Sequence, residues 1–207
     1  FSQTTLYSTD FGAGALPTGW TVTSGSEISA NTTNASSGYT SPNATGSGNL
    51  FMDNNSCAFT TQTIEINPGI STLGYTTIQV IWGARLSSGG NFPGVAFEWS
   101  TDGVTWTPQA YTENAANDTW ALVNSGARIT LPAGAEGASN LQLRFTYSDD
   151  CASDDYRIDD FLVEGTCSGT APTTQPSGVS VNANAQTTAQ FTWAVGDGSR
   201  RIFAMST

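Results

Sequence analysis

Six aspartates fall within twelve residues, as the pairs Asp149–Asp150, Asp154–Asp155 and Asp159–Asp160. Carboxylates crowded this closely repel one another unless a cation or solvent separates them. Such a segment suits Ca²⁺, which gathers about six to eight oxygens from Asp, Asn, backbone carbonyls and water. The same acids can instead pair with Arg144 or Arg157, accept backbone N–H groups, or face water. A second chemistry is open in principle to Glu98 and Glu113, because two carboxylates flanking a glycosidic bond can hydrolyse it. No neighbouring motif supports that use. The chain also has no His, which removes the commonest general base near neutral pH. Ser-His-Asp and Cys-His arrangements and imidazole-held zinc are excluded with it, so the sequence reads as non-catalytic.

Aromatic side chains offer a different kind of site, since a Trp or Tyr ring can lie flat against a sugar face while its polar edge stays wet. Trp120 and Tyr111 flank the polar stretch Thr112–Asp118, where they would border a surface groove, and Tyr39 lies in a long polar loop. These three are the candidate ligand-binding residues; the alternative for each is to anchor a loop or the core. Trp82, Trp99 and Trp106 occupy alternating positions and are expected in the core. Three cysteines fit one bridge and one leftover in an oxidising compartment. Cys57 and Cys151, both at the polar edges of expected strands, form the favoured pair.

Charge narrows the partners. Six Arg and no Lys face seventeen carboxylates, for a net charge of −11. Nucleic acid binding needs clustered positive charge, and anionic membranes repel such a surface. Cations, neutral glycans and other polymers of the cell surface or matrix remain as partners. No apolar run is long enough to enter and span a bilayer. The chain starts at Phe1 without Met and moves straight into a strand-like segment, as a mature N-terminus does after signal removal. The expected location is secreted or cell-surface.

Alternation with period two dominates the chain. Ile78, Val80, Trp82 and Ala84 point one way and Thr77, Gln79, Gly83 and Arg85 the other; Val95–Trp99 and Leu141–Tyr147 repeat the pattern. Further strands are expected at Thr4–Asp10, Gly19–Ser24, Gly48–Asp53, Ala58–Ile66, Thr105–Tyr111, Trp120–Leu131 and Tyr156–Glu164. Residues Gly25 to Asn49 read as a polar surface excursion. About ten short strands with one apolar face each predict an all-β, two-layer antiparallel jelly-roll sandwich. Ser100–Trp106 carries Asp102-Gly103 at a hairpin turn and resembles a shortened Asp-box, a folding device in secreted β-proteins. The sandwich is expected over 1–165 and an extended linker over 166–176. Residues 177–207 form the start of a partial Ig-like β-domain, whose three strands resemble the opening strands of a fibronectin type III module. A neighbouring copy of the chain could complete that domain by donating a strand.

Three segments carry a family resemblance. Tyr7-Ser8-Thr9-Asp10-Phe11-Gly12 with Leu16-Pro17-Thr18-Gly19-Trp20, then Asn49-Leu50-Phe51-Met52-Asp53, and last Tyr156-Arg157-Ile158-Asp159-Asp160-Phe161 are similar to the opening, middle and closing strands of MAM-like jelly-roll modules in secreted Bacteroidetes-type proteins. The resemblance implies a structural Ca²⁺ joining the first and last strands, held here by Asp10 and Asp159 with help from Asp53. It also implies an adhesive or carbohydrate-binding module of a larger secreted protein. The alternative is a structural subunit of an extracellular filament or surface layer, built by copies of the chain completing one another.

Overall fold

The computed structural model describes residues 3–34, 48–53, 61–86, 94–116, 118–148 and 155–168, and two further strands at 177–185 and 188–194. The chain divides into two compact units, Phe1–Ser168 and Gly169–Thr207. The first is a two-layer antiparallel β-sandwich. Its strands are β1 (Gln3–Thr9), β2 (Trp20–Ser24), β3 (Ile28–Asn31), β4 (Asn49–Met52), β5 (Gln62–Ile70), β6 (Tyr75–Leu86), β7 (Gly94–Ser100), β8 (Thr107–Gln109), β9 (Ala121–Leu122), β10 (Ile129–Thr130), β11 (Leu141–Ser148) and β12 (Tyr156–Cys167).

One sheet runs β2-β5-β11-β7-β8, and the other runs β10-β6-β12-β4-β3 with β9 also on β6 and β1 also on β12. β12 is therefore central. β6 pairs along one edge, while β4 and β1 divide the other: β4 covers Tyr156–Ile158 and β1 covers Phe161–Thr166. Between them, at Asp159–Asp160, the register with β6 shifts and Asp160 takes φ 53°. A bulge at this seam puts Ile158 and Phe161 both in the core.

Alternation places the core. Trp82 of β6 packs edge-on against Phe145 at 5.0 Å and tilts on Phe97 at 5.0 Å, and Phe161 closes the cluster at 6.2 Å. Trp20 of β2 sits edge-on to Phe11 and Phe161, and its indole N–H donates to the Tyr7 hydroxyl at 2.8 Å. Aromatic pairs in these geometries add to simple burial. The second half of β6 and nearly all of β12 are buried on both faces.

Three expectations are corrected. The polar excursion holds a strand, β3, paired with β4. The expected strand Trp120–Leu131 is broken into β9 and β10 by a tight turn in which Asn124 and Ser125 take positive φ. Thr166 and Cys167, assigned to the linker, continue β12, pairing with Thr76 and Tyr75. In the second unit, β13 (Ser177–Ala185) and β14 (Thr188–Ala194) form an antiparallel pair; the third expected strand lies outside the described residues.

Candidate functional site

The outer face of the five-stranded sheet is set by the polar half of each alternation. Across it one row runs in strict cross-strand register: Thr21 of β2, Glu65 of β5, Arg144 of β11, Glu98 of β7 and Pro108 of β8. Four strand spacings give the row a length of roughly 19 Å. Arg144 Nε donates to Glu98 Oε2 at 2.6 Å, and the Thr146 hydroxyl meets the same oxygen at 3.4 Å. The guanidinium lies 4.3 Å from the centroid of the Trp106 ring. Cation–π contact and the charge-assisted bond together fix the ring's position.

Trp106 is thus half-buried on the outer face, not in the core as its spacing suggested. The hairpin over Ser100–Trp106 delivers it there. Asp102 Oδ1 accepts the N–H groups of Val104 (2.8 Å) and Thr105 (2.7 Å) and the Ser100 hydroxyl (2.9 Å). Those bonds, the backbone ones first, hold the Asp102 carboxyl well below the usual range. Trp106 precedes β8, so the hairpin turns it outward before pairing resumes.

The expected ligand residues fare differently. Tyr111 packs its ring on Trp82 at 4.9 Å, and its hydroxyl donates to the Val95 carbonyl at 3.2 Å. Its ring and hydroxyl both anchor the loop to the core. Trp120 is half-buried, its indole N–H donating to the Asn34 carbonyl at 3.0 Å. Tyr39 lies outside the described residues, as do Cys57, Cys151, Asp149, Asp150 and Asp154. Cys167 is exposed and free.

Glu98 and Glu113 share no site. Glu98 belongs to the sheet-face row. Glu113 accepts the N–H groups of Asn114 (2.8 Å) and Ala115 (2.6 Å) through Oε1 and the Tyr156 hydroxyl through Oε2. It closes its own loop. Burial, with help from Tyr111 and Glu113, raises the Tyr156 phenol well above its ordinary value.

The proposed Ca²⁺ set is split. Asp10 follows Thr9, which pairs with Phe161, so the end of β1 meets the fully buried Asp159–Asp160 bulge. There the Asp160 N–H donates to Asp159 Oδ1 at 2.7 Å, and Asp10 Oδ1 accepts the Gly12 N–H at 3.0 Å. Asp53 follows Met52, which pairs with Tyr156. Four residues of strand, about 13 Å, therefore separate its level from that of Asp159. Among the described residues no group of three or more His, Cys, Asp or Glu is arranged to hold a metal; an ion at the seam would draw its remaining oxygens from carbonyls and Asn.

Of the arginines named as partners for the acids, Arg157 contacts Asp155 at 3.2 Å, and Arg144 goes to Glu98. Arg157 also donates from Nη1 to Asn31 Oδ1 (3.0 Å), Thr33 O (3.1 Å) and Asn49 Oδ1 (2.9 Å), pinning the chain after β3 onto the sheet. Burial lowers its pKa against the pull of Asp155.

No family model matches the chain, and no curated protein does. Solved structures do. The CBM22-1 xylan-binding domain from Paenibacillus barcinonensis Xyn10C aligns over 80% of this chain and 96% of its own, at 16% identity and TM-score 0.53. The CBM22-2 xylan-binding domain of the same protein aligns over 78% and 99%, at 14% identity and TM-score 0.52. The chain shares their fold. An exo-beta-agarase structure matches at TM-score 0.52 and 8% identity, over 79% of this chain and 25% of its own. At such identities the likeness is one of architecture, and function must be argued from the site.

Proposed function

We propose that the chain is a non-catalytic glycan-binding or adhesive module of an extracellular protein, and that it binds through the outer face of its five-stranded sheet. One observation carries this reading: Trp106 stands half-buried on that face, held by Arg144, beside a line of hydroxyl and carboxylate groups. An aromatic ring beside fixed donors and acceptors is what stacking on a sugar and bonding its hydroxyls require. The two xylan-binding neighbours support the class of ligand without specifying which sugar. Glu98 is bonded to Arg144 and Glu113 to its own loop and Tyr156, and the proposal includes no hydrolysis. A structural Ca²⁺ at the seam, held by Asp10 and Asp159 without Asp53, belongs to the same proposal.

Retention on a panel of insoluble and gel-embedded polysaccharides tests the site. The wild type is expected to be retarded by at least one neutral glycan, and Trp106→Ala to lose about tenfold or more in affinity with an unchanged circular dichroism spectrum. Binding that survives the substitution at full strength sinks the assignment of this face.

A further inference from the structure

The outer face of the seven-stranded sheet carries a second row. Arg157 pairs in register with Phe51 of β4 on one side and Arg85 of β6 on the other. Trp120 lies one step beyond the Ala84–Ala121 pair, beside Arg85. Two arginines therefore stand side by side in register, with the Arg157 guanidinium 4.4 Å from the Phe51 centroid. Arg157 is committed to the fold through its bonds to Asn31, Thr33, Asn49 and Asp155.

Arg85 is not. Its side chain is only 9% exposed, and its ion pair with Asp118 uses Nη2 alone. Nη1 is buried with no hydrogen-bond partner among the described residues. A carboxylate matched to a guanidinium fork makes two parallel bonds; Asp118 supplies one. Asp118 sits on the loop before β9 at φ 57°, with a side chain 53% exposed, so leaving costs it little burial.

We infer that Arg85 anchors a second binding site, for the carboxylate of an acidic sugar, and that Asp118 partly occupies this site in the free protein. An incoming carboxylate replaces Asp118 on Nη2 and takes up the unused Nη1, while Trp120 borders the ring that bears it. The net charge of −11 repels polyanions at long range. That field is screened beyond about 8 Å at physiological ionic strength, whereas the guanidinium acts at contact. The choice of a saccharide rests on the glycan-binding reading; the carboxylate chemistry rests on Arg85 alone.

Calorimetric titration with polygalacturonate, dextran sulfate and neutral xylan, at about 0.15 M salt, tests it. Polygalacturonate is expected to bind the wild type, to bind Asp118→Ala about tenfold more tightly, and to lose binding with Arg85→Gln. Trp106→Ala should leave polygalacturonate binding intact while binding of the neutral glycan that retards the wild type falls, which separates the two faces. Should Arg85→Gln fail to fold, Asp118→Ala keeps the test, because it leaves the arginine in place. Preference for dextran sulfate overturns the carboxylate assignment. Failure of Asp118→Ala to bind polygalacturonate overturns the site and leaves the Trp106 reading standing.

Discussion

Tyr156 carries its hydroxyl into the core, where it donates to Glu113 and receives the Trp82 indole N–H at 3.5 Å. Tyr111, packed on the same Trp82, is raised as well, chiefly by burial and then by Glu113. An unfolded tyrosine ionises at about pH 10. Both phenols keep their protons to higher pH when folded, so their contribution is complete below that pH and falls as pH rises past it. The thermal midpoint is therefore expected to drop steeply above about pH 10, with tyrosinate absorbance appearing together with unfolding. Tyrosinate from all six tyrosines rising while the native dichroism persists would contradict the burial described. This Glu113–Tyr156 bond was not legible in the sequence, because the partners are separated by 43 positions and nothing local marks either as paired.

The seam between β1 and β4 is held by close backbone approach. A Cβ on Gly48 would come 2.3 Å from the Phe11 carbonyl oxygen and 2.7 Å from the Gly14 nitrogen. Both are main-chain atoms and cannot swing aside. Gly48→Ala should therefore destabilise by about 1–3 kcal/mol, read as a lower unfolding midpoint. Gly94→Ala, whose added carbon would meet Ser148 at an ordinary 3.6 Å, is the control and should shift it little. Equal shifts in the two variants would refute the close approach. Most strands were visible beforehand, since Phe97, Trp99, Leu143 and Phe145 alternate cleanly with polar neighbours. β3 was not, because Ile28 is one apolar residue in a stretch of Ser, Thr, Asn and Gly. Trp106 was misplaced because alternation was carried through a turn that breaks it. The resemblance that grouped Asp53 with Asp10 and Asp159 carried no register, so the distance between the levels of Asp53 and Asp159 was not legible beforehand.

Two sheets present two outer faces of unlike character, one a row around the half-buried Trp106 and the other a row around the buried Arg85 and Arg157, with the exposed Asp118 at its edge. The acids outnumber the cations seventeen to six, and two of those acids are fully buried at the seam. A Ca²⁺ there would tie the first strand to the last. Excess Ca²⁺ is expected to raise the thermal midpoint over a chelated sample, Asp10→Asn and Asp159→Asn to abolish the rise, and Asp53→Asn to keep it. Identical midpoints with Ca²⁺ and with chelator would remove the ion from the account.

The strand at the middle of the seven-stranded sheet is also the last of the sandwich to be synthesised. Gln3 finds its partner only at Thr166, and Leu50 and Met52 meet β12 only at Ile158 and Tyr156. A nascent chain halted before Tyr156 can assemble the other layer but lacks the plank on which β1, β4 and β6 lie. Pairings this distant in sequence form slowly. The polypeptide should accordingly leave the ribosome still open along this side and condense in one late event, a state in which it could be threaded through a narrow channel before it sets.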